Sequence, residues 1–132
     1  MSFKGTAPNR PFRRVGRLDH AIGFVLAASY VFLLAHQSLD LGMGRDESIY
    51  VYAAERYGRF VELAVDEPER AFTQTEVDAA FGVNHEHPPL AKTLFALSHL
   101  AHQRWDIFST DSLAHRFPAM VSAGLLLWLI YI

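Results

Sequence analysis

The stretch HAIGFVLAASYVFLLAHQSL, residues 20–39, contains no Asp, Glu, Lys or Arg. As an α-helix, twenty residues rise roughly 30 Å, the thickness of a bilayer's hydrocarbon core. It reads as a membrane-spanning helix, and it sets the fold class as all-α integral membrane. A second uncharged run covers residues 117–132. At ~1.5 Å per residue it reaches only about 24 Å, short of a comfortable crossing. The expectation is therefore the N-terminal fragment of a longer, multi-pass protein whose second transmembrane helix is truncated.

The flanks orient the first helix. Before it stand Lys4, Arg10, Arg13, Arg14 and Arg17 against one acid, Asp19, whereas residues 40–116 hold thirteen acids and seven bases. The positive-inside rule places the N-terminus in the cytoplasm and residues 42–115 outside. An uncleaved anchor fits better than a signal peptide, because LLAHQSLDLG (residues 33–42) offers no small-x-small cleavage site. With no cysteine, the external segment has neither disulfides nor thiolate zinc sites to hold it.

Four regions follow: a cytoplasmic basic tail (1–18, without fixed structure), a transmembrane helix (19–41), an extracytoplasmic loop with short helices (42–116) and the truncated second span (117–132). Gly42-Met43-Gly44 is expected to end the first helix. A helix over residues 45–64 is capped by Asp46, and Tyr52, Tyr57 and Phe60 join an apolar stripe at three- and four-residue spacing. That stripe fits an interfacial helix along the outer membrane surface, or packing on protein. Residues 66–70 read as a solvated acidic turn, 75–81 as a short helix closed by Gly82, and Pro88 or Pro89 as the start of a helix running to Trp105. Arg116-Phe117-Pro118 opens the second span.

Three groups carry candidate chemistry. Asp46 and Glu47 are adjacent carboxylates just outside the bilayer, where a low-dielectric surface raises a carboxylate toward a general base's range. Their structural alternative is a helix cap and a first-turn acid. The stretch NHEHPPLAK, residues 84–92, reads as an anion site at a proline-started helix N-terminus, with Lys92 one turn in. Its alternatives are a stiff helix start, or a divalent metal site in which His85 and His87 join His99 and His102. Arg116 is the last charge before the second span, either a snorkelling anchor or a cation facing Asp46 and pairing with a carboxylate or lipid phosphate.

The order of GRDESIY, HPPLAK and RFPAMVSAGLL between two spans resembles the N-terminal part of the polytopic C-type glycosyltransferases. The protein O-mannosyltransferases and the lipid A aminoarabinose transferases are the most similar groups. The resemblance covers residues 19–132. It implies an enzyme of the bacterial inner (plasma) membrane that moves a sugar from a polyprenyl-phosphate donor to a lipid, protein or glycan acceptor on the extracytoplasmic face, with no nucleic-acid partner. It further implies that Asp46 is the catalytic base, that Glu47 assists it, and that Tyr50, His87, Pro88, Lys92 and Arg116 border the donor. Ala91 replaces the glycine usual in eukaryotic mannosyltransferases, and His87 the basic residue usual in the aminoarabinose enzymes. Donor class is thus implied, but no individual sugar. The rival expectation is a non-enzymatic membrane protein whose external segment binds metal or a partner protein.

Overall fold

The computed structural model describes residues 14–132, so the expected lack of fixed structure in the tail lies largely outside the described residues. All regular structure among them is helical: α1 (Arg17–Ser38), α2 (Arg45–Asp66), α3 (Pro68–Ala71), α4 (Gln74–Phe81), α5 (Pro89–Trp105) and α6 (Asp111–Tyr131). Two of these, α1 and α6, are long and apolar enough to cross a membrane.

They pack against each other as a hairpin, and small residues set the distance. A Cβ at Gly124 would stand 2.6 Å from Val31 Cγ2 and 3.1 Å from the Ala27 carbonyl oxygen. At Gly23 it would stand 2.3 Å from the Trp128 ring, which also meets Phe24 edge-on with centroids 5.9 Å apart. Between helices as apolar as a bilayer's interior, close backbone approach and dispersion supply the cohesion. Gly124→Ile should therefore force α1 and α6 apart at the usual overpacking cost of about 1–3 kcal/mol. Trp128 fluorescence in a Trp105→Phe background, followed through thermal unfolding in detergent, checks this; unchanged emission and midpoint would refute the close-packed seam.

Several sequence boundaries shift for physical reasons. The second span begins at Asp111, not Phe117, because the Thr110 hydroxyl accepts the Leu113 N–H at 3.1 Å and caps the helix. Pro118 consequently sits inside α6 rather than opening it. The first helix stops at Ser38, before the glycine pair, and the chain turns through residues 39–44. Gly44, not Asp46, is the N-cap of α2; its N–H donates to Glu47 Oε2 at 3.1 Å. The supposed acidic turn is one turn of helix, α3, whose Arg70 pairs with Glu67 at 3.3 Å and Glu76 at 3.2 Å.

The stripe on α2 packs on protein. Tyr57 is buried with Ala54 and Ala96, and its ring meets Phe81 at 4.6 Å; Phe60 meets Phe81 at 5.0 Å and Phe72 at 5.8 Å. These edge-on aromatic contacts tie α2 to α4, while Ala54 and Ala96 let α2 and α5 approach. The contacts of α5 with α6 advance along one helix as they retreat along the other: His102 and His99 reach Asp111, His99 stacks on His115, and Phe95 shares a cavity wall with Ala119. α5 is therefore antiparallel to α6 and stands beside its first turns. Parallel to α5, with its N-terminal turn at Arg116, α2 also stands up from the hairpin instead of lying across its end.

Candidate functional site

The site forms where α1 ends, α2 begins and α6 passes. Arg116 organises it. Its Nε and Nη2 donate to the two oxygens of Glu47, Nη2 at 2.7 Å. Nη1 donates to the Ser38 and Leu41 carbonyls, both at 3.1 Å, and Nη2 also to the Gly42 carbonyl at 3.0 Å. A guanidinium has five N–H donors in a fixed fork, and this one uses all five. The carbonyls it takes belong to Ser38, the last residue of α1, and to Leu41 and Gly42 in the turn that follows.

Of the two roles foreseen for Arg116, pairing with a carboxylate is the one realised, and no N–H remains for a lipid phosphate. Glu47 is likewise committed. The hydrogen bond from Arg116 holds its carboxyl below the usual carboxylate range, against the opposing effect of partial burial. Lowering the pH below the ordinary value of 4.5 should therefore remove this pair's contribution to stability as Glu47 takes up a proton. The contribution is fully present above that value, since the folded-state pKa is the depressed one. Thermal midpoints of Glu47→Gln and the parent chain should differ at neutral pH and converge on acidification; parallel pH profiles would dismiss the linkage.

Beside this lock lies a cavity of about 370 Å³ whose wall includes Asp46, Glu47, Tyr50, Val51, Ala91, Phe95, His115, Arg116 and Ala119. Asp46 is exposed and, among the described residues, accepts no hydrogen bond and joins no ion pair. One residue further along the helix points roughly 100° away, so Glu47 meets Arg116 while Asp46 does not. His87 stands at the edge, its ring 5.7 Å from that of Tyr50. Pro88 is the exposed N-cap of α5. A larger hollow, about 610 Å³, lies between Val65 and Trp105. It contains none of the residues that the sequence singled out.

Lys92 departs from its expected place. It is 0% exposed, and its Nζ donates to the Asn84 carbonyl at 2.5 Å while facing the Tyr57 ring at 5.5 Å. Asn84 has φ 53°, a left-handed conformation that asparagine tolerates better than most residues. Lys92 thus closes the turn before α5 and is screened from the cavity. A charge this deeply buried needs such partners, and a solvent-borne phosphate has no path to it.

Nor do the histidines converge as a metal site requires. His85 is exposed, and His87 turns to Tyr50. His99 donates from Nε2 to Asp111 at 3.1 Å and stacks on His115 with centroids 4.1 Å apart. His102 Nδ1 accepts the Phe108 N–H at 3.2 Å. Among the described residues no three His, Cys, Asp or Glu side chains are arranged to hold a metal ion. His115 was missed at the level of sequence: it is buried on the cavity wall, and only its position beside Arg116 and four residues after Asp111 hinted at it.

No family model, curated protein or solved structure matches the chain.

Proposed function

We propose that this chain is the N-terminal part of a membrane glycosyltransferase that moves a sugar from a polyprenyl-phosphate donor to an acceptor on the extracytoplasmic face. The N-terminus is cytoplasmic, consistent with the basic flank before α1. One observation carries the proposal: Asp46, unpaired among the described residues, is on the wall of a largely apolar cavity beside two helices suited to a bilayer, while its neighbour Glu47 is tied to Arg116.

A base must keep a lone pair free for the acceptor, and Asp46 meets that condition where Glu47 does not. In the proposed step, Asp46 takes the proton of an acceptor hydroxyl as that oxygen attacks the sugar's anomeric carbon. The carbon–oxygen bond to phosphate breaks, and the electron pair leaves with the polyprenyl phosphate. Glu47 and Arg116 position the step by fixing the first turn of α2 on α6. His87 and Tyr50 at the edge are the side chains placed to meet the phosphate, in place of Lys92 and Arg116.

A photoreactive polyprenyl-phosphate analogue tests the binding half directly. In membranes containing the intact protein, it should label the peptide carrying Tyr50 or the one carrying His87. Unlabelled polyprenyl phosphate should suppress that labelling and a neutral polyprenol should not. Equal suppression by both would show apolar adsorption and withdraw the donor-site proposal.

A further inference from the structure

We infer that the first turn of α5, Pro89 to Leu94 with the preceding Pro88, is a bilayer-immersed tip that enters the lipid beside α6. The inference rests on α1 and α6 spanning a membrane, and it names a lipid-contacting surface that the sequence offered to α2 as one of two readings.

The contact register supplies depth. His102 reaches Asp111, the first residue of α6, whereas Ala91 and Phe95 share a wall with Ala119, two turns further along. Eight residues of helix correspond to about 12 Å. Moving back along α5 therefore means moving down α6, from Asp111 to the level of Ala119 and of Arg116, the last formal charge of that helix. The start of α5 lies beside Arg116 and Ala119, at the edge of the uncharged run of α6.

The surface there is fit for lipid. Leu90 is 70% exposed and Leu94 is 42% exposed. Lys92, the lone formal charge in that turn, is turned wholly inward onto Asn84 and Tyr57. A helix start ordinarily presents four unpaired N–H groups, which hydrocarbon penalises. Pro88 and Pro89 have no N–H to leave unpaired, so the sequence reduces that penalty at the point of entry. His85 and Glu86, both exposed, remain on the preceding turn, where headgroups and water can solvate them.

Because the chain has no cysteine, single cysteines report position cleanly. Leu90→Cys, Leu94→Cys, Ser109→Cys, Thr73→Cys and Phe32→Cys would each be spin-labelled in phosphatidylcholine nanodiscs. Collision with dissolved oxygen and with a water-soluble nickel chelate then reports depth. Labels at Leu90 and Leu94 should show oxygen-to-nickel ratios several-fold above those at Thr73 and Ser109 and below that at Phe32. Ser109 is the strict control, since it is much nearer to α6 in sequence than Leu90 is. Nickel exposure at Leu90 and Leu94 equal to that at Thr73, with Phe32 protected, would overturn the immersed tip and leave the spans intact. Nickel exposure at Phe32 as well would overturn the spans, and the tip with them.

Discussion

Arg116→Met should unfasten the joint between α1, α2 and α6, lowering stability by roughly 3 kcal/mol, the lower end of what breaking a buried ion pair costs. The lower end applies because the Glu47 side chain remains 30% exposed and water can partly solvate the orphaned carboxylate. Three carbonyl acceptors, on Ser38, Leu41 and Gly42, lose their donor in the same substitution. Arg116→Lys should recover little, since an ammonium cannot reproduce a planar five-donor fork. A double substitution, Arg116→Met with Glu47→Leu, should be less damaging than Arg116→Met alone, because no charge is left uncompensated. Unfolding in detergent, followed by helical circular dichroism, gives the three midpoints. An Arg116→Met midpoint equal to the parent's would mean that the guanidinium only covers the helix end.

Asp46→Asn should lower glycosyl transfer by about a hundredfold or more, within the usual reach of general-base catalysis. Asparagine keeps the size and polarity of the side chain and removes only its capacity to take a proton. Asp46 neither caps α2 nor pairs with another described residue, so folding should be unaffected. Glu47→Gln should behave differently: its loss is chiefly of stability, with transfer falling only as far as the first turn of α2 loosens from Arg116. The comparison requires the intact protein in membranes, single-turnover transfer from a polyprenyl-phosphate sugar, and binding of a donor analogue as a separate measurement. Near-parental transfer by Asp46→Asn, at normal donor binding, would remove Asp46 from the role of base. A loss of donor binding in step with transfer would make it a ligand of the donor instead.

Residues 20–39 were legible as a long apolar helix without any coordinates, because the run carries no formal charge and has the length of a spanning helix. The proline start of α5 and the helical character of α2 were equally legible, since both rest on local stereochemistry and periodicity. Local signals could not say where long side chains go. Lys92 and Arg116 are each one cation in a one-dimensional string, and either could have faced a phosphate. Tertiary structure committed Lys92 to the Asn84 carbonyl and Arg116 to Glu47 across 69 residues of sequence. It likewise turned the aromatic stripe of α2 onto α4 and paired His99 and His102 with Asp111. The sequence by itself determined which long segments are helical and which two suit a bilayer, because those depend on a residue and its near neighbours; the single turn of α3 escaped it. Which of two adjacent carboxylates stays free was decided only when α6 brought a guanidinium to one of them, a long-range contact with no local signature.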